Sequence, residues 1–141
     1  MNGKYEILHQ AGGVVFRFDT VKNRYKILMV TSKRDFNKWL FPKGDIDAGD
    51  TDRYTARKEV LEEAGIVGEV MDYLGSITYI DMMFVIDLRL FLVKFLRESN
   101  ESREKRLRRW VDSNEAVRIH HLGEKIKPIL KRAKHVLRRQ L

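Results

Sequence analysis

Three glutamates, Glu59, Glu62 and Glu63, stand three and four positions apart in the stretch KGDIDAGDTDRYTARKEVLEEAGI (43–66), which gathers seven carboxylates in a chain of net charge +8. At about 100° per residue, a helix carries all three within about 100° of one another. Like charges at that spacing destabilise a helix by roughly 0.2–0.5 kcal/mol per pair, and a bound cation reverses the sign. Mg²⁺ is a hard ion that takes carboxylate oxygens, keeps several waters and completes its shell with substrate phosphates. An acidic helix edge behind a glycine-bearing loop therefore points to a Mg²⁺ and diphosphate site. A solvated acidic face is the alternative that periodicity leaves open.

The elements that must hold these glutamates follow from the pattern. AGGVVFRF (11–18) and YKILMVT (25–31) are β-rich runs joined by polar residues, and read as two strands. SKRDFNKWLFPKGDIDAG (32–49), broken by Pro42, Gly44 and Gly49, reads as a loop. A helix is predicted from about Thr51 to Ala64, capped by Asp50 or Thr51 and stopped by Gly65, with Ala56, Val60, Leu61 and Ala64 turned to the core. GEVMDYLGSITYI (68–80) and FVIDLRLFLVKFL (84–96) are two long strands, and 97–106 is a charged loop. LRRWV (107–111) is a short strand, followed by a helix from Asp112 through Leu122 with Asp112 and Glu115 spaced as a capping box. A final helix places Ile126, Ile129, Leu130, Ala133, Leu137 and Leu141 on one stripe, with Pro128 in its first turn. Strands, helix, strands, helices in that order predict an α+β domain in which helices cover a mixed sheet.

The residues from Gly44 to Ile66 resemble the signature of the Nudix hydrolases, G-x5-E-x7-R-E-U-x-E-E-x-G-U with U a bulky aliphatic. Gly44, Glu59, Val60, Glu62, Glu63, Gly65 and Ile66 match it at the family spacing. AGGVVF before it and WLFPKG leading into it are similar to the family's flanks. Two positions depart: Asp50 stands where the family has Glu, and Lys58 where it has Arg. The shorter Asp50 favours a metal contact through water, and Lys58 keeps the charge without the planar fork of arginine.

The resemblance implies an α/β/α sandwich and a hydrolase that cleaves a diphosphate linkage with Mg²⁺ or Mn²⁺. It implies Glu59, Glu62, Glu63 and the Gly44 carbonyl as metal ligands, with Glu59 also positioning or deprotonating the water and Lys58 orienting the glutamates. Family members often add one acidic group from outside the box; Glu98, Glu101 and Glu104 are the candidates, left undecided. Lys43, beside Gly44, is expected at a phosphate, with Lys33, Arg34 and Lys38 as weaker candidates. Tyr79 and Phe84 are candidates for stacking on a base, while Trp39 and Phe41 read as core. His120 and His121, adjacent on the predicted helix, point apart and read as structural or surface residues.

Composition bounds the rest. A chain of 141 residues, 43% apolar, is expected to form one compact domain over 1–141. Without cysteine there is neither disulfide nor thiolate chemistry. No run of 18 apolar residues occurs and the first ten residues lack a signal-peptide core, so the expectation is a cytoplasmic protein with no membrane partner. Residues 1–96 carry 14 basic and 14 acidic side chains, residues 97–141 carry 14 and 6, so the whole excess is C-terminal. That asymmetry suits a phosphate-rich small-molecule substrate, with nucleic acid ranked second, acting on a monomer or homodimer. The similarity is strongest to diadenosine polyphosphate hydrolases and diphosphoinositol polyphosphate phosphohydrolases. Oxidised nucleoside triphosphates, RNA 5′ ends and a catalytically weak nucleotide- or nucleic-acid-binding module are the competing readings.

Overall fold

A computed structural model describes residues 5–101, 104 and 106–140. Its centre is a mixed sheet built on β1 (Glu6–Asp19) and β6 (Phe84–Glu98). These two strands run parallel, Glu6 to Phe16 beside Phe84 to Lys94, and Ala11 to Phe16 are buried without alternation because both faces are covered. β5 (Ile66–Asp81) pairs antiparallel with β6 through three register irregularities between Val67 and Gly75. On the other side lies β2 (Arg24–Thr31), antiparallel to the end of β1. β3 (Trp39–Leu40) and β7 (Arg108–Val111) both pair with β2, giving the order β3-β2-β1-β6-β5, while β4 (Lys43–Asp45) pairs with Gln10 to Gly12 of β1.

One face of the sheet presents Val15, Leu28, Val30 and Val93 to Val60 and Ala64 of α1 (Asp52–Ala64). The opposite face presents Val14, Met29, Leu90 and Leu92 to α2 (Ser113–Ile119) and α3 (Lys127–Arg139). The fold is thus the expected α/β/α sandwich. The Tyr54 N–H donates to Thr51 Oγ1 at 3.0 Å to cap α1, and Gly65 ends it at φ 68°, a left-handed conformation that favours glycine.

Differences from the sequence reading have local causes. β1 begins five residues earlier than expected because its partner β6 continues to Phe84. The loop 32–49 contains β3 and β4, too short to show a period. α2 stops at Ile119, and a 3₁₀ turn at Gly123–Ile126 precedes α3, whose Pro128 sits in its first turn as expected. On α3, Ile129, Leu130, Ala133, Val136 and Leu137 are buried; Ile126 is buried in the 3₁₀ turn before it, and Leu141 lies outside the described residues. Among the described residues no helix is long and apolar enough to cross a membrane.

Candidate active site

The pairing of β4 with β1 sets the loop 43–45 against α1. Gly44 lies so close to Glu59 that a Cβ there would fall 2.2 Å from Glu59 Oε1. One residue earlier, the Lys43 amide donates to Glu63 Oε1 at 3.2 Å. The two glutamates share a hydrogen bond, and burial raises both carboxyl pKa values above the ordinary range. Glu63 is the more deeply buried, 4% exposed. Glu62, half-buried on the same edge, raises Glu59 further by its charge.

Here α1 departs from the expected division of faces. Leu61 is half-buried, while Glu63 joins Thr55, Ala56, Val60 and Ala64 on the buried side. Burying a carboxylate is costly unless a cation or donor meets it. The Arg106 guanidinium does so, with NH1 3.4 Å from Glu63 Oε1 and Nε 2.6 Å from Glu104 Oε2, and with NH1 donating to the Thr31 carbonyl at 3.2 Å. Of the three loop acids, Glu104 is therefore the one held beside the helix glutamates. Glu98 is engaged by Arg108 at 2.7 Å, and Glu101 is exposed. Among the described residues no three acidic or histidine side chains converge as a ready metal centre.

Lys58 does not reach the glutamates with its ammonium group. Its Nζ lies 3.2 Å from Asp47 and 3.8 Å from Asp50, tying the loop to α1. Its ammonium thus clamps the loop while its charge still acts on Glu59, and Asp50, the other departure from the family signature, is its second partner. A side chain leaving the helix at 58 meets the preceding loop before it meets the acidic edge.

Beside the acid pair, between the 32–40 loop, the β5–β6 hairpin and the turn after α2, opens a cleft of about 580 Å³. Lys43, Tyr79, Lys38 and Arg34 line it, as do Asp81, His121 and Lys125. Lys43 joins the two regions: its backbone holds Glu63, while its Nζ donates to Gln10 Oε1 at 2.8 Å, and burial lowers its pKa. Gln10 in turn donates to Asp45 at 2.9 Å. Burial raises the Tyr79 hydroxyl to about 12, so it stays a neutral donor.

Phe84 is absent from this cleft; half-buried at the start of β6, it packs against the main core. Phe41 is core as expected, and Trp39 is half-buried against it. Lys33 is exposed and does not line the cleft. The two histidines do not diverge. Because His120 adopts an extended conformation after α2, their rings stack at 5.2 Å, His120 buried against Phe41 and His121 edge-on to Tyr79. Gln10, Arg106, His121 and Lys125 were missed. None carries a periodic signal, and Arg106 is one of three arginines in the loop 97–106, with nothing in the sequence to single it out.

Residues 8–140 match the model of the NUDIX domain, and the chain belongs to that family. A stretch of 51 residues is 49% identical to the putative mutator protein MutT4 of Mycobacterium tuberculosis (strain CDC 1551 / Oshkosh), covering 36% of this chain and only 19% of that curated relative. The fold is similar to a C. elegans Ap4A hydrolase binary complex, with TM-score 0.78 and 20% identity over 92% of this chain and 97% of that one. It is also similar to a NUDIX hydrolase from Nitrosomonas europaea (TM-score 0.73, 14% identity, 92% and 90%) and to the E. coli ORF135 protein (0.71, 20%, 96% and 94%). The solved structures, at 14–20% identity, show a shared fold; the family model carries the membership, and members of the family generally use divalent metals.

Proposed function

We infer that this Nudix-family chain hydrolyses a diphosphate linkage in a nucleoside or inositol polyphosphate, with a diadenosine or diphosphoinositol polyphosphate as its substrate class. The observation that carries the reading is the position of Lys43. One residue meets the buried acid pair through its amide and lines the adjoining cleft. Phosphates held in the cleft are thereby brought next to the glutamates.

Glu59, Glu62, Glu63 and the Gly44 carbonyl would hold the metal. The donor set fits: these are hard oxygen donors, and burial together with mutual repulsion raises Glu59 in a way a cation relieves. When bound, Mg²⁺ or Mn²⁺ supplies neutralisation of phosphate charge and a lowered pKa for water. The chain's own residues do the remainder. Glu59, half-buried and with a raised pKa, is suited to take the proton of the attacking water. Lys43 and Lys38 offer charge to the phosphates, and Arg34 and Lys125 extend that lining. Tyr79 and His121, in edge contact at 5.9 Å, form an aromatic corner for a planar group. A cleft lined by four Lys/Arg side chains, even with Asp35 and Asp81 among them, suits a long polyphosphate better than a single diphosphate.

Product formation from diadenosine tetraphosphate, diadenosine hexaphosphate, ADP-ribose, GTP, oxidised GTP, diphosphoinositol polyphosphate and triphosphorylated RNA, with Mg²⁺ and with EDTA, tests this. Mg²⁺-dependent cleavage of a diadenosine or diphosphoinositol compound ahead of the rest supports it. Binding of nucleotides with no turnover of any substrate favours the binding-module reading instead.

A further inference from the structure

Ion pairs are spread unevenly over the basic side chains of the described residues. Outside α3, several arginines pair with carboxylates: Arg24 with Asp112, Arg34 with Asp81, Arg89 with Asp52, Arg108 with Glu98, Arg109 with Glu115. On α3 the pattern ends. Lys131, Arg132, Lys134, Arg138 and Arg139 are exposed and have no carboxylate partner among the described residues; Lys127 alone pairs, with Glu124 at 3.2 Å. The helix holds six Lys/Arg in 13 residues and no Asp or Glu.

Helix stability does not account for this array. Arg138 and Arg139 suit the negative end of the helix dipole, but Lys127 and Lys131 oppose its positive end. Lys127 with Lys131, and Lys134 with Arg138, are like charges at i,i+4, which weaken a helix. Nor does the helix have an apolar side to offer a lipid surface. Ile129, Leu130, Ala133, Val136 and Leu137 are already buried against the sheet. What remains is an outer face that meets a partner through charge alone. Lys131, Lys134 and Arg138 form one row about 10 Å long, with Arg132 and Arg139 on the next row.

We propose that the outer face of α3 binds the sugar–phosphate backbone of a nucleic acid. No Phe, Tyr or Trp lies on the helix and His135 is its one ring, so contacts are chiefly to phosphates and recognition is independent of sequence. The proposal stands apart from the hydrolysis reading, since it concerns residues outside the cleft.

The test is fluorescence anisotropy with a labelled 20-nucleotide RNA bearing a 5′-hydroxyl, which offers the cleft no polyphosphate, at KCl from 50 to 200 mM. Wild-type protein is expected to bind with affinity falling steeply in salt. The variant Lys131→Gln/Arg132→Gln/Lys134→Gln/Arg138→Gln is expected to bind at least tenfold more weakly at 50 mM. Its log–log salt slope should be shallower by about 3, from about 0.7 per phosphate contact on a single strand. Its circular dichroism and its turnover of small dinucleotides should match wild type. No binding by the wild type, or equal binding by the variant, overturns the proposal. So does binding to phosphatidylserine vesicles without binding to RNA, which would make the surface a lipid one.

Discussion

The two 13-residue helices, α1 and α3, treat charge in opposite ways. α3 sorts its residues: every apolar side chain of its stripe is buried and every cation is exposed. α1 does not. It buries Glu63 and Thr55 with its alanines and valine, and partly buries Glu59 and Glu62. A helix that sorts cleanly is a scaffold whose surface is free to do something else. A helix that places carboxylates where water is scarce accepts a desolvation cost, and that cost marks where the chemistry sits.

The comparison is broken first at Glu63. Glu63→Gln keeps the shape and removes the charge, and turnover should fall on the order of 10²–10³-fold while circular dichroism and Tm stay close to wild type. Wild-type turnover by this variant would reduce α1 to a solvated helix. Gly44→Ala comes next. The added Cβ would fall 2.2 Å from Glu59 Oε1, so the glutamate must move. Turnover should drop on the order of 10–100-fold, as for other changes that misplace a ligand, with Tm lowered by overpacking worth about 1–3 kcal/mol.

A third prediction concerns the scaffold side. Burial against Phe41 brings His120 down to about 3, so it is neutral when folded and ordinary when unfolded. Between pH 6.5 and pH 3 the unfolded chain binds the extra proton. The His120 contribution is therefore full above pH 6.5 and is lost on acidification by about 1.4 kcal/mol per pH unit through that window, while the raised carboxyls of Glu59 and Glu63 act in the opposite sense. Melting curves from pH 7 to pH 4 should show wild type losing stability relative to His120→Asn by that amount per pH unit as the pH falls. The smallest effect belongs to Lys58→Gln. Its ion pairs with Asp47 and Asp50 are partly exposed, so Tm should shift by less than about 1 kcal/mol's worth and turnover by severalfold at most.

The contrast also explains what the sequence made legible. α3 was readable because its stripe and its cations obey one period. The glutamates of α1 were readable as a spacing, and Thr51, Gly65 and Gly44 gave the helix its bounds and its neighbour. That Glu63 turns inward was not readable, because position 63 becomes buried only when β4 folds back along β1 at Gln10 to Gly12. Arg106 and Gln10 escaped for the same reason: each is defined by partners more than 30 residues away, Thr31 and Glu63 for one, Lys43 and Asp45 for the other. The direction of Lys58 and the stacking of His120 on His121 depend on loop conformations that composition leaves open.

The central claim is that the acidic edge of α1 is gathered for a divalent cation. Calorimetric titration of Mg²⁺ into wild-type protein and Glu63→Gln, each verified as folded, addresses it without any assumption about substrate. The account predicts saturable binding by wild type and at least tenfold weaker binding by the variant. Equal affinity in the two proteins, or no binding by wild type, would contradict it.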